Sequence, residues 1–547
     1  MDTTIPAQIE KCKGAMLLTA VGDAMGWPNE PRAKNREARL RQNDFFVEWT
    51  RNCKRPSWHN EKILPGEYSD DTQMTLSVAR SIIAGDWEKF FIEKELPFWL
   101  QYERGGGKAL LKAARSLRDK HELLWKSANP KDYFRAGGNG AAMRILPHVI
   151  ASANKVDITA LMIDIIKDTL ITHGHPRAFL GATCYAFALD YLVKKRNVLE
   201  YGELVSSIIE GQQYWGEFAL FNHIEEWVAT AELQAGFDYA KQWKYDKMNM
   251  IEQLYFIEKE LKKGLMLNDK QVLASLGCFG KANGAGDISV LAAIYLASKY
   301  ATNPFLGVKV PAFSFHADTD TIASMTGGLL GMLCGIDWIP VEWRMVQDYD
   351  CLIQMAELLL SENKDLATRT KLMETKEQNS DWISSPIGRM RLINTNGKYG
   401  RVTIEKWQTM LGQTIYIKRG SLTQELLLQG DEVERQIQLD VQPSVSSQDN
   451  LRSNTFYQIG LKDGASKVDI IENNNRQLIL SDSVIRNLLG TAEFNKSVTV
   501  GKFLKVVQAL IEDDEPASVV SKRFTIDMRM VEKIKNILIN RYVNINY

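Results

Sequence analysis

The chain has 547 residues, 45% of them hydrophobic, and its 67 Lys and Arg balance its 67 Asp and Glu, so there is room for two or three domains with ample core and no whole-chain attraction to polyanions. Its six cysteines show no CxxC spacing, which points to reduced core thiols rather than a disulfide framework. The N-terminus has neither a basic nor an apolar leader region and no run of eighteen apolar residues occurs, so a soluble cytoplasmic protein with no membrane partner is expected.

Residues 10 to 365 read mainly as helix, because apolar residues such as Leu76, Ala79 and Ile83, or Ile288, Leu291 and Ile294, recur at helical spacing between Gly and Pro punctuation. An orthogonal helical bundle follows. The first helix contains Gly22, Asp23 and Gly26; a buried Asp23 there needs partners, supplied by backbone or a histidine. Tyr68-Ser69-Asp70-Asp71-Thr72 precedes a second helical pattern. Residues 210 to 265 carry Trp215, Trp227, Trp243 and Tyr255 on amphipathic peripheral helices, where the aromatics read as packing. His316-Ala317-Asp318-Thr319-Asp320-Thr321 precedes a helix rich in small residues. Polarity rises from Ser361 to Ser385, marking a domain edge.

Beyond that the period changes to two. Thr414 to Lys418 and Arg435 to Gln442 alternate as strands, Asn396-Gly397 offers a hairpin turn, and residues 443 to 450 read as a loop. The spacing predicts a β-containing module over 387–480 and a helical module over 481–547, with a helix, turn and helix from Val500 to Arg541. Within the last segment Lys522, Arg523, Arg529, Lys533, Lys535 and Arg541 outnumber Asp527 and Glu532, a local net charge of +4. Two roles stay open for that face: phosphate contact, and dimerisation or docking with a solvated surface.

The two acidic segments can each be read as helix starts, with one Asp as N-cap and the next in the positive first turn. Together they hold four carboxylates and several hydroxyls, the oxygen-donor set that hard divalent cations favour. Two such ions can hold a diol and a water side by side, so a two-metal hydrolase is the first hypothesis. His173 and His175 lack an HExxH-like partner, which argues against zinc.

These residues, in this order, resemble the ADP-ribosylglycohydrolase family. Gly14 to Gly26 is similar to its opening helix, Arg104-Gly105-Gly106-Gly107 to its glycine loop, and Gly138 to Pro147 to its central block. Thr172 to Pro176 is similar to a following helix start, and Asp318 to Thr321 to its last metal motif. The resemblance covers roughly residues 10 to 340 and implies a mainly α fold of that type over residues 1–380, followed by a small α+β region ending in helices. It implies hydrolysis of the bond between ADP-ribose and an acceptor, with two Mg²⁺ ions, or Mn²⁺, held by Ser69, Asp70, Asp71, Asp318, Asp320 and Thr321. Ser69 stands where many relatives have Thr.

Asp70, Asp71 and Glu30 are the implied catalytic group, although a solvent-exposed role for Glu30 is equally open at this stage. Gly105, Gly106 and Gly107 would bring backbone N–H groups to the pyrophosphate, Gly138, Asn139 and Gly140 would meet ribose or phosphate, and His173 would order the site or touch phosphate. One departure is plain: His316-Ala317 stands where relatives carry Gly-Gly. The implied partners are an ADP-ribosylated protein or nucleic acid as substrate and ADP-ribose as product. The alternative is an ADP-ribose-binding regulatory or nucleic-acid-associated protein governed by its C-terminal module.

Overall fold

A computed structural model describes residues 5–30, 45–53, 59–264, 267–361, 381–399 and 402–420, with short pieces at 458–460, 477–479, 520–522 and 531. The chain divides into two units, residues 1–421 and 422–547. In the second unit, Gln458–Gly460 pairs in parallel with Gln477–Ile479. The expected strand at Arg435 to Gln442, the loop at 443–450 and nearly all of the helical region 500–541 lie outside the described residues.

The first unit is mainly helical. Its centre is a pair of helices buried over most of their length, α1 (Gln8–Gly26) and a late helix of small residues, Thr319–Cys334. Glycines let them meet backbone to backbone: a Cβ on Gly22 would sit 2.2 Å from the Ala323 carbonyl oxygen, and one on Gly327 2.2 Å from the Leu18 carbonyl oxygen. No side chain fits there. At one end of this crossing the Thr319 hydroxyl donates to the Gly26 carbonyl at 2.9 Å, so the end of α1 and the start of the late helix form a single platform.

Around the pair stand α2 (Asp70–Ala84), α3 (Lys108–Lys120), α4 (Ile158–Leu170), α5 (Pro176–Lys194), α6 (Tyr239–Leu261) and α7 (Gly286–Lys299); the late helix Thr319–Cys334 is α8, and Tyr349–Leu360 is α9. Gly85, at φ 109°, ends α2. Trp215, Trp227 and Trp243 are buried; the Trp227 ring centroid lies 5.1 Å from Phe221 and 5.2 Å from Tyr239. These aromatics pack against one another. All six cysteines are free thiols, five of them buried. Among the described residues no helix is long and apolar enough to cross a membrane.

The all-α expectation for residues 1–380 holds only in part. Between α1 and α2 stands an antiparallel hairpin, β1 (Trp49–Cys53) and β2 (His59–Ile63). Beyond residue 380, where a β-containing region is expected, a four-stranded antiparallel meander follows, β3 (Trp382–Ser385), β4 (Gly388–Tyr399), β5 (Val402–Thr409) and β6 (Thr414–Gly420), which belongs to the first unit. The alternation seen at Thr414 to Lys418 forms β6. Asn396-Gly397, expected as a turn, instead lies inside β4, where the pairing with β5 shifts register between Thr395 and Lys398 before closing at Tyr399 and Val402. Extra residues at a glycine are absorbed by a bulge as readily as by a turn.

Candidate active site

The start of α2 is fixed by a residue from another helix. Ser69 is the N-cap, its hydroxyl accepting from the Asp71 N–H at 3.3 Å. Asp23 of α1 is fully buried, and its carboxylate accepts the Ser69 N–H (3.0 Å), the Thr72 N–H (3.0 Å) and the Thr72 hydroxyl (2.6 Å). Of the first-turn N–H groups that a helix leaves unsatisfied, those of Asp71 and Thr72 are thereby taken up by the Ser69 hydroxyl and the Asp23 carboxylate. Asp70 and Asp71, at the first two helical positions, therefore do not cap the helix.

If the acidic residues at this helix start hold a divalent cation, Asp23→Ala should weaken its binding by about 10- to 100-fold, the usual consequence of removing a group that orients metal ligands. Isothermal titration would measure this. Unchanged affinity would show that α2 holds its first turn without α1.

At α8 the capping reading is also displaced. Asp318 occupies the N-cap position but makes no side-chain cap bond. Its Oδ2 accepts instead from the Asn139 amide at 2.8 Å, and the same amide reaches the Ser289 hydroxyl at 2.9 Å. The Asn139 N–H donates to the Gly284 carbonyl at 3.0 Å. A Cβ on Gly284 would stand 2.9 Å from Asp318 Oδ2, so glycine is required for the carboxylate to lie there. Asp320 Oδ1 accepts the Thr321 N–H at 2.9 Å, and carboxylate oxygens of Glu30, Asp318 and Asp320 all lie within 4.8 Å of one another.

These groups converge on a cleft of about 560 Å³, within the usual range for a small-molecule site. Glu30, Asp70, Asp71, Asp318, Asp320 and Thr321 form one side; Gly105, Gly106, Gly107 and Lys108 form another; Gly138, Asn139, Gly140 and His173 form a third. Gly105 has φ 113°, and a Cβ there would fall 2.8 Å from Asp70 Oδ1, so the loop can approach the acidic side only as glycine.

Crowded carboxylates dominate the electrostatics. Burial pushes the Asp71 carboxyl well above the usual range, and Asp23, Asp70 and Asp318 push it the same way. Burial does the same to Asp320, reinforced by Glu30, Asp318, Asp71 and Asp23. Asp71 Oδ1 is buried without a hydrogen-bond partner. Such a group calls for a cation or a proton, and the all-oxygen donor set fits Mg²⁺ or Mn²⁺ rather than zinc.

His173 is set by a buried chain of bonds. Arg144 donates to the Asp168 carboxylate at 2.7 Å, to the Gly140 carbonyl at 2.9 Å and to the Thr172 hydroxyl at 3.1 Å. The same hydroxyl pairs with His173 Nδ1 at 2.7 Å, and Nε2 lies beside Gly140. Burial, with help from Arg144, lowers the imidazole pKa to about 3, so the ring is neutral, with one nitrogen a donor and the other an acceptor.

The ADP-ribosylglycohydrolase family pattern matches residues 4–369 of this chain. The chain belongs to the ADP-ribosylglycohydrolase family. It is 25% identical over 297 residues to ADP-ribosylhydrolase ARH3 of Danio rerio, covering 51% of this chain and 73% of that one. It is 29% identical over 198 residues to the ADP-ribosyl-[dinitrogen reductase] glycohydrolase of Rhodospirillum rubrum, covering 36% and 62%. Similarity to ADP-ribosylarginine hydrolase Tri1 of Serratia proteamaculans is 26% identity over 34% of this chain and 48% of that one. Among solved structures, an ADP-ribosylglycohydrolase-related protein complex aligns with TM-score 0.40 and 19% identity, covering 64% of this chain and 98% of the other.

Within this family member, nearly every residue singled out from sequence lines the cleft. Ser69 is fully buried at the α2 cap, where its hydroxyl donates to Asp71 Oδ2 at 3.4 Å. Asn139 spends its amide nitrogen on Asp318 and Ser289. His316 adopts φ 78°, a left-handed conformation suited to the Gly of relatives, while its carbonyl accepts from Asn283 at 3.1 Å. Lys108, Met143 and Gly284 line the cleft and Ser289 supports it, none of them anticipated. Asn283-Gly284-Ala285-Gly286-Asp287 carries the one available signal, a glycine pair flanked by Asn and Asp ahead of a helix.

Proposed function

We propose that the cleft hydrolyses the glycosidic bond between ADP-ribose and an acceptor with the help of two divalent cations, Mg²⁺ or Mn²⁺. The observation that carries this reading is the convergence of five carboxylates on one cleft, with Asp71 Oδ1 buried and unpartnered. Asp70, Asp71, Asp318, Asp320 and Thr321 would hold the ions. When bound, such ions supply Lewis-acid polarisation and fix the ribose against the line of attack.

The chain's own residues do the rest. Bond cleavage at an anomeric carbon passes through an oxocarbenium-like state, which needs an anchored sugar and a placed water. Gly107 and Lys108 open α3, whose N-terminus has no side-chain cap, so its N–H groups would meet a pyrophosphate in the cleft that Gly106, Gly107 and Lys108 line. With Thr172 donating to Nδ1, His173 Nε2 would offer a neutral donor to the ribose-phosphate end. Asn139 holds Asp318 in place, and Arg144 ties the Gly140 turn to Thr172, the neighbour of His173, so that this wall keeps its shape. Glu30 closes the acidic side at the mouth and would accept a proton from the attacking water.

Relatives bearing the names ADP-ribosylhydrolase and ADP-ribosylarginine hydrolase define the substrates to try. The purified protein with Mg²⁺ should release free ADP-ribose from at least one of ADP-ribosylated arginine, serine, DNA or RNA. Release from none of them would overturn the proposal. Glu30→Gln should then lower turnover on the accepted substrate by about 10²-fold, the low end for removing a positioned acid or base, with ADP-ribose affinity nearly unchanged. Wild-type turnover would return Glu30 to the surface.

Residues 422–547 form their own unit, and we assign that unit to target selection. A chain ending at Ser421 should keep hydrolysis of a small ADP-ribosylated compound and lose preference among macromolecular targets. Equal activity of both chains on every target would remove that assignment.

A further inference from the structure

The family pattern ends at residue 369, yet the sheet that follows reaches the back of the cleft. Two residues of the cleft's frame receive β6. The first is Arg104, immediately before Gly105. It is buried, with its guanidinium on Glu61 (2.9 Å) and Glu67 (3.0 Å). The Tyr416 ring of β6 covers it at 3.9 Å from the ring centroid, and the Tyr416 hydroxyl donates to the other oxygen of Glu67. Lys418 donates to Glu61 at 2.9 Å and to the Glu103 carbonyl at 3.1 Å, and its main-chain N–H donates to Gln101 at 3.1 Å. The whole segment 101–104 is thus tied to one strand. The second is Tyr68, immediately before Ser69: its hydroxyl donates to Asp348 Oδ2 at 2.6 Å, and the Thr414 N–H donates to the same oxygen at 2.8 Å.

Between these anchors lies the approach of Gly105 to Asp70, where a Cβ would be 2.8 Å from the carboxylate. A buried ion cluster is weak evidence for stability, since desolvation offsets most of the attraction, but it fixes geometry strongly. Burial alone would raise the Glu61 carboxyl, yet Lys418, Arg104 and Arg51 hold it well below its ordinary range. Cys53, His59 and Glu61 also come within 4.8 Å of one another, a conceivable metal-ligand set. With three cations already on Glu61 the cluster repels a further one, so its role is mechanical.

We propose that Tyr416 and Lys418, on a strand outside the family pattern, are positioning residues that set the gap between the glycine loop and Asp70. The sheet is then a rear brace of the nucleotide site, holding the loop at the distance where its N–H groups and the acidic side act on one ligand. This rests on the reading of the cleft as an ADP-ribose site.

The test uses the full chain with Mg²⁺, comparing wild type with Tyr416→Phe, Lys418→Met and Lys418→Arg. It records kcat and KM on whichever ADP-ribosylated compound the wild type cleaves, the Kd of free ADP-ribose by calorimetry, and Tm. Lys418→Met should raise KM and the ADP-ribose Kd together by about tenfold or more, as loss of an orienting group does, with kcat changed far less. Lys418→Arg should restore most of the affinity. Tyr416→Phe, which removes only the bond to Glu67, should give a smaller rise of the same kind and decides the matter if Lys418→Met does not fold. Unchanged KM and Kd in folded variants, or a fall in kcat alone, would overturn the inference. A wild type that binds ADP-ribose but cleaves nothing would overturn the hydrolase reading and leave the brace to be judged on Kd. A wild type that does neither would overturn both.

Discussion

Asp320→Ala should sharply lower the rate of ADP-ribose release and at the same time raise the melting temperature of the metal-free protein. The two effects share one cause. Asp320 is buried against Glu30, Asp318, Asp71 and Asp23, and without a cation each carboxylate repels the others. Removing one relieves the repulsion and removes a ligand. The loss in rate should be about 10³-fold, since Lewis-acid stabilisation at such sites supplies several kcal/mol and each 1.4 kcal/mol is a factor of ten.

The pH dependence follows from the same groups. The Asp71 and Asp320 carboxyls have folded-state pKa values raised above the unfolded value of about 3.9. Their contribution to stability is therefore fully present below that value and is lost as pH rises through the raised folded values. In EDTA the wild type should melt at progressively lower temperature as pH is raised above about 4, Asp320→Ala should show a shallower decline, and Mg²⁺ should restore stability in the wild type only. Melting curves across pH, with and without Mg²⁺, check this. A mutant that retains wild-type turnover, or whose metal-free form melts lower than wild type, would contradict a shared cation cluster.

Gly22→Ala should damage the fold more than Gly107→Ala in the cleft. The added Cβ would lie 2.2 Å from the Ala323 carbonyl oxygen and 2.7 Å from the Ser324 nitrogen, both backbone atoms. Only separation of α1 from α8 relieves that clash, and overpacking of this kind costs about 3 kcal/mol. Because α1 carries Asp23 and α8 carries Asp320, the separation should also weaken Mg²⁺ binding. Gly107→Ala is the contrast: its Cβ meets nothing within 4 Å and its φ is −66°, so Tm should not move. Denaturation of both variants decides the point, and equal Tm values would show that the α1–α8 contact yields without cost.

What could be read from the sequence was the part whose chemistry is local. Asp70-Asp71 and Asp318-Thr319-Asp320-Thr321 are contiguous, so their donor type and helix-start context were visible together. Asp23 announced a need for partners by sitting between glycines in an apolar helix; that the partners were backbone N–H groups of Ser69 and Thr72 was invisible, because they come from 46 and 49 residues away. Gly284 and Ser289 gave little warning, since their roles depend on Asn139 and Asp318 arriving beside them. β1 and β2 are five residues each and carry Arg51, Asn52, Asn60 and Lys62, which leaves too few apolar positions to show a period of two. The Asn396-Gly397 pair carries the same local signal whether it turns or bulges. The placement of β6 rests on Tyr416 with Glu67, 349 residues apart, a separation that no periodicity encodes.

The most direct test of the central claim is anomalous diffraction from crystals grown with Mn²⁺. The account predicts two peaks in the cleft, flanked by Asp70 and Asp71 on one side and by Asp318, Asp320 and Thr321 on the other, both lost in Asp320→Ala. A cleft without anomalous density at saturating Mn²⁺, or peaks only at sites away from these carboxylates, would contradict it.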